Sequence, residues 1–145
     1  MDNLNNTTLN ITEIFYSLQG EAKEVGIPTV FVRLTGCPLR CNYCDTAYAF
    51  KGNNPLSIQH ILDEVAQYNT RYVCVTGGEP MAQSNCLKLL DSLIDSGYNV
   101  SMETSGSIDI APVNNKVSIV MDIKTPSSTE EHQNRYENLS VLKPK

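Results

Sequence analysis

From Ile11 onward, short runs of β-branched and aromatic residues alternate with segments whose apolar residues recur every three to four positions. That alternation restricts the fold more than any other property of the chain, because strands separated by helices of ten or more residues form right-handed βαβ units and a parallel sheet. Residues 11–16 and 29–34 read as strands bounded by Gly20, Gly26, Pro28 and Gly36. Residues 57–68 read as a helix capped by Ser57, with Ile58, Ile61, Leu62, Val65 and Ala66 on one face. A strand over 72–76 runs into Gly77-Gly78, and Cys86, Leu89, Leu90, Leu93 and Ile94 then mark a helix closed by Gly97. Two further strands are expected at 99–103 and 117–123, and a last, weakly amphipathic helix at 129–139. The 145 residues suit one domain, read as 11–145 behind a polar, Asn-rich tail at 1–10. Polar clusters at Gly36, Thr76, Glu103 and Asp122 fall at the C-terminal ends of the expected strands, the rim where parallel α/β sheets bind ligands.

Charge narrows the partners. A net charge of −5 offers no basic field for nucleic acid or anionic membranes, so a small-molecule substrate is favoured. No stretch approaches the ~20 apolar residues of a membrane span, and the N-terminus lacks a cationic segment followed by an apolar run, so the chain reads as cytosolic. Five cysteines, three of them in one short loop, suit metal binding in a reducing compartment better than a disulfide framework.

Those three, Cys37, Cys41 and Cys44, stand in a loop over 36–54 that has no sustained periodicity, and a loop of that length is usually functional. A zinc site would need completion by His60 or His132, which lie on an expected helix and far along the chain. Incidental core cysteines would belong in a strand or helix, as Cys74 and Cys86 do, although Cys74 could also serve as a fourth ligand. The remaining reading is an iron-sulfur cluster on three thiolates, with one iron left open to a small molecule. In Thr76-Gly77-Gly78-Glu79-Pro80, paired glycines allow close approach to a ligand and a carboxylate or carbonyl can accept from an ammonium group; a tight strand-to-helix turn is the alternative. Glu103-Thr104-Ser105-Gly106 and Asp122-Ile123-Lys124-Thr125-Pro126 close the next strands, and each alone could be a capped turn or a solvated ion pair.

Cys37-x-x-x-Cys41-x-Tyr43-Cys44 resembles the signature of the radical S-adenosylmethionine superfamily, and Gly77-Gly78-Glu79-Pro80 resembles its motif for the methionine amino group. The resemblance implies a four-iron four-sulfur cluster that donates the electron cleaving S-adenosylmethionine, after which an adenosyl radical takes a hydrogen from substrate. It implies a parallel, incomplete TIM-barrel-like sheet. Within the superfamily, residues 13–21, Gly26-Ile27-Pro28, Phe31-Val32-Arg33-Leu34 and Cys44-Asp45-Thr46 resemble the 7-carboxy-7-deazaguanine synthases. Those lyases contract 6-carboxy-5,6,7,8-tetrahydropterin to 7-carboxy-7-deazaguanine with loss of ammonia, a step toward queuosine.

Carried over by position, Leu18, Gln19, Gly20, Glu21, Arg33 and Thr76 would bind substrate, with Arg33 on its carboxylate. Tyr43, Cys44, Asp45, Gly77, Gly78, Glu79, Glu103, Thr104, Asp122, Ile123 and Lys124 would border S-adenosylmethionine, and Thr46 would ligate magnesium. The resemblance further implies a homodimer reduced by flavodoxin or ferredoxin. Glycyl-radical activation is the rival radical chemistry, and a non-catalytic iron-sulfur or zinc module the rival outside it. The chain departs from the family at Ala22, where a second glycine is common, and ends at residue 145, where the family continues with a segment that helps close the pocket; a shortened member is therefore expected.

Overall fold

Residues 3–143 are described by the computed structural model, which holds one sheet of six strands in the order β3-β1-β2-β4-β5-β6. The strands are β1 (Thr8–Leu18), β2 (Pro28–Leu34), β3 (Pro55–Ser57), β4 (Tyr72–Gly77), β5 (Asn99–Thr104) and β6 (Ser118–Met121); the helices are α1 (Ile58–Val65) and α2 (Cys86–Asp95). β2, β4, β5 and β6 run parallel, with Val32 opposite Val75, Val73 opposite Val100 and Met102 opposite Ile119. The sheet is open, with β3 and β6 as its edges.

Its N-terminal part corrects the purely parallel expectation, since β1 pairs antiparallel with both β2 and β3. A parallel crossover needs a dozen or more residues, and the connection over 19–27 holds only a short 3₁₀ turn at Ala22–Glu24, so β1 can reach β2 only as a hairpin. β1 also begins at Thr8, inside the stretch expected as a tail, because Thr8, Leu9 and Asn10 pair with β3. Met1 and Asp2 of that expected tail, and Pro144 and Lys145 at the other end, lie outside the described residues.

Strand alternation gives the sheet two different faces. Val30, Val32, Leu34, Val73, Val75, Val100 and Met102 point to one face, and all are buried. Ile58, Ile61 and Val65 of α1 and Cys86, Leu89, Leu90 and Leu93 of α2 join the same apolar cluster. Burying each such aliphatic side chain contributes about 1.5–3 kcal/mol, so this face carries the fold. Ser57 Oγ accepts from the His60 N–H at 3.1 Å, the expected cap, and Gly97 closes α2 at φ 84°. The opposite face carries Phe15, Phe31, Arg33, Cys74, Thr76, Ser101 and Glu103; Phe15 and Phe31, a cross-strand pair, stack at 5.0 Å.

The helix expected at 129–139 is absent. Thr129 sits at φ 64°, and the segment forms only 3₁₀ turns at Glu131–Gln133 and Tyr136–Ser140. Asparagine side chains replace helical hydrogen bonds with tertiary ones, a competition open to short polar side chains. Asn134 brackets Lys124, accepting from its N–H and donating to its carbonyl, both at 2.8 Å. Buried Asn138 donates to the Gly106 and Ile108 carbonyls and accepts from the Ile110 N–H. The segment is thus a strap holding the ends of β5 and β6.

Ala22 stands at φ 58°, in the left-handed region where a Cβ crowds the backbone by about 1–2 kcal/mol. Ala22→Gly should therefore stabilise the fold by about 0.5–1 kcal/mol after the larger unfolded entropy of glycine is subtracted, raising the thermal midpoint by about 1–4 °C. A lower midpoint would show that the strain is relieved by another route.

Candidate active site

The cysteine loop is fastened to the sheet through its first backbone groups. Gly36 N–H donates to the Ala49 carbonyl at 2.8 Å, and the Gly36 carbonyl accepts from Glu79 N–H at 2.9 Å. Gly78 lies against that same carbonyl so closely that a Cβ there would stand 2.0 Å from the Gly36 oxygen and 3.0 Å from Cys37 Cβ. At Gly77 a Cβ would meet the Leu34 carbonyl at 2.7 Å. Both glycines are thus required by close backbone approach, which brings the end of β4 against the loop.

Within the loop, Arg40 donates to the Cys37 and Leu39 carbonyls at 2.6 Å and lies over the Phe50 ring at 4.2 Å. Leu39 is buried beneath it. The Cys44 N–H closes a turn onto the Cys41 carbonyl at 3.1 Å. Cys37, Cys41 and Cys44 are all free, half-buried and on the wall of one cavity of about 370 Å³. Burial raises the Cys37 thiol above its ordinary range, and the charges of Glu79, Cys41 and Cys44 push the same way against a hydrogen bond from the Leu39 backbone. Loading a metal group must therefore displace a proton from it.

Among the described residues, no three His, Cys, Asp or Glu side chains are grouped so that one ion could be held. A single zinc requires donors about 2.0–2.3 Å from one point. A cubane presents separate corners, and three soft thiols on one cavity wall suit it as a donor set. The residues fit the cluster.

Glu79 lies underneath the cavity rather than on its wall. Its side chain is fully buried, and its carboxylate accepts from Thr104 Oγ1 at 2.8 and 3.0 Å, Ser105 N–H at 2.7 Å, Ser105 Oγ at 2.5 Å and Met81 N–H at 3.1 Å. Every lone-pair direction is engaged, so it clamps the end of β5 to the end of β4. Gln19 is similarly occupied: its Oε1 accepts from Gly20 and Glu21 N–H, and its Nε2 donates to Glu103. Thr76 donates to the other Glu103 oxygen at 2.9 Å.

Four carboxylates, Glu21, Asp45, Glu103 and Asp122, line the cavity against two cations, Arg33 and Lys124. Both cations are already paired. Arg33 Nε donates to Glu13 at 2.7 Å, and Lys124 donates to Asp122 at 3.0 Å. The Asp122 contact raises Lys124 despite the lowering effect of burial. Glu21 is raised above the carboxylate range by the charge of Glu103 first, then by burial and by Asp122 and Asp45. This field favours ligands carrying positive charge, as a sulfonium and an ammonium do.

Of the residues singled out from sequence, Tyr43, Thr46, Gly77, Gly78 and Thr104 also reach the cavity wall. Leu18, Gln19, Gly20, Glu79 and Ile123 do not line it; Leu18 is 62% exposed and Ile123 45% exposed. Leu39, Phe50 and Val120 line it without having been anticipated, since an apolar residue in a loop or at an edge strand carries no periodic signal. Ser105 joins them from a segment already marked as polar.

The model of the Radical SAM superfamily matches residues 21–136, which include every strand end that meets the cavity. The chain belongs to the radical SAM superfamily. This membership implies a four-iron four-sulfur cluster and S-adenosylmethionine. Similar curated proteins include the 7-carboxy-7-deazaguanine synthase of Koribacter versatilis, 45% identical over 138 residues, and that of Thermoplasma acidophilum, 39% identical over 135. These alignments cover 94% and 92% of this chain but 61% and 65% of those proteins, so the chain spans less than two thirds of their length. A crystal structure of QueE from Escherichia coli superposes with a TM-score of 0.76 over 95% of this chain and 77% of that one, at 23% identity, and shares the fold. As in that radical SAM fold, the sheet is mostly parallel and incompletely closed. No helix among the described residues is long and apolar enough to cross a membrane.

Proposed function

We propose that this radical SAM protein carries the 7-carboxy-7-deazaguanine synthase activity, converting 6-carboxy-5,6,7,8-tetrahydropterin to 7-carboxy-7-deazaguanine with loss of ammonia. The observation carrying the reading is that the cysteine loop, Gly77-Gly78, the strand-end acids and Arg33 line one cavity. The identity to curated synthases over most of the chain supports it. Cys37, Cys41 and Cys44 would hold the cluster, which when bound supplies the electron for S-adenosylmethionine cleavage.

The chain's own residues bind and orient. Glu103, fixed by Thr76 and Gln19, offers a carboxylate edge to a ring N–H or amino group. Arg33 offers the rest of its guanidinium to the substrate acid. Asp45 and Asp122 balance the positive charges of S-adenosylmethionine. Thr46, on the same wall, would ligate magnesium beside that acid, consistent with a hard-oxygen preference. Five free cysteines are consistent with a cytoplasmic setting. The family resemblance supports a homodimer and a flavodoxin or ferredoxin reductant.

Anaerobic incubation with the carboxypterin, magnesium, S-adenosylmethionine and reductant should give 7-carboxy-7-deazaguanine by mass spectrometry. Arg33→Ala should lose most of that turnover, by about 10- to 100-fold, while still cleaving S-adenosylmethionine without coupling. Unchanged turnover in the variant would defeat the carboxylate role, and cleavage with no product from the parent chain would defeat the substrate.

A further inference from the structure

Arg33 owes its pose to a residue that does not line the cavity. Glu13 on β1 is the direct cross-strand partner of Arg33 on β2, next to the register shift between Ile11 and Glu13. One oxygen of its carboxylate, Oε1, accepts from Arg33 Nε at 2.7 Å and from the Tyr48 hydroxyl at 2.7 Å. Tyr48 belongs to the 3₁₀ turn Ala47–Phe50, which directly follows Thr46. The guanidinium carbon also lies 5.7 Å from the Phe15 ring centre and 5.8 Å from that of Tyr48. Arg33 Nη1 also donates to the Gly77 carbonyl at the long distance of 3.4 Å, so the side chain is held chiefly at its Nε edge by a short charge-assisted hydrogen bond and against two aromatic rings.

We propose that Glu13 is a positioning residue: through one oxygen it locks the Arg33 guanidinium and the arm of the cysteine loop carrying Tyr48 into a single arrangement, leaving Nη2 and the second N–H of Nη1 for the acid group of the substrate. The inference rests on the carboxypterin reading for its ligand, and on the tie between Glu13, Arg33 and Tyr48 for its geometry. An arginine free to swing would spend most of its time outside the orientation in which a bidentate contact forms. Toward the substrate acid Glu13 acts through Arg33, which makes the contact, so for binding of that acid its loss must not add to the loss of Arg33.

Binding of 6-carboxy-5,6,7,8-tetrahydropterin (the carboxypterin), measured anaerobically by calorimetry on the cluster-loaded protein with magnesium, provides the test. Glu13→Ala should weaken binding by about 10- to 100-fold, and Glu13→Gln, which keeps an acceptor for both donors, should stay within about threefold of the parent. Iron content and S-adenosylmethionine affinity should stay unchanged in both. The double variant Glu13→Ala/Arg33→Ala should bind no more weakly than Arg33→Ala alone. Equal binding by the parent and Glu13→Ala, or additive losses in the double variant, would overturn the proposal. If the parent binds no carboxypterin, the substrate reading fails by itself and the tie is decided by NMR. The Arg33 Nε–H signal should be sharp and slowly exchanging in the parent and Glu13→Gln and lost in Glu13→Ala; its persistence in Glu13→Ala would overturn the proposal.

Discussion

Cys41→Ala is expected to abolish both the iron-sulfur absorption and the cleavage of S-adenosylmethionine, while leaving the fold in place. Cys41 is half-buried, on the cavity wall, and its structural role runs through its backbone carbonyl, which accepts from Cys44 N–H whatever side chain it carries. The cluster-free variant should match the cluster-free parent within about 0.5 kcal/mol in thermal unfolding. With one of three thiolates gone, the cubane loses a corner ligand and should not survive purification. Cys74→Ala makes the matched control. Its thiol is buried beneath the wall, raised far above its ordinary range by burial and then by the Glu103 charge, and it should be dispensable for the cluster. Cys86, in the apolar cluster on α2, is pushed up to about 12 by burial and belongs to the same class. Retained absorption in Cys41→Ala, or its loss in Cys74→Ala, would mean that the ligands are misassigned.

Gly78→Ala should be the most damaging of the glycine-to-alanine changes. The added carbon would stand 2.0 Å from the Gly36 carbonyl oxygen and 2.6 Å from its carbon, and both are backbone atoms that no rotamer change can clear. Either the end of β4 or the start of the cysteine loop must move, at a cost of about 3 kcal/mol or more, which corresponds to a fall of roughly 6–12 °C in the thermal midpoint. Because Gly36 immediately precedes Cys37, iron incorporation should fail together with stability. Calorimetric unfolding of the cluster-free protein and iron analysis after reconstitution measure the two effects separately. An unchanged midpoint would contradict the close packing of these two segments.

These outcomes also mark where sequence was informative. The helical spacing around α1 and α2 is legible because each has one buried face, and burial writes a period into the sequence, whereas β2 and β4 are buried on both faces and are legible as short continuous apolar runs. The cysteine trio and the paired glycines were legible because their spacing is set by local chain geometry. The antiparallel start of the sheet was not, since a hairpin and a crossover both begin as a strand followed by glycines; the shortness of 19–27 was the available signal. The strap over 129–139 is not legible in the sequence, because helical propensity says nothing of Asn134 and Asn138 reaching across to other backbone groups. The motifs point to Glu79 and Gln19 as site residues, and in the structure their hydrogen bonds hold neighbouring segments together behind the cavity lining. A motif identifies which residues matter without stating whether they touch a ligand or support one that does.

Electron paramagnetic resonance of the anaerobically reconstituted, reduced protein, recorded before and after adding S-adenosylmethionine, addresses the three-thiolate cluster most directly. The expected result is a cubane signal, accompanied by acid-labile sulfide, whose g-values shift on addition, as they should if Cys37, Cys41 and Cys44 hold the cluster and leave one iron open to the added molecule. Bound zinc without sulfide, or a cubane signal that S-adenosylmethionine leaves unchanged, would contradict it.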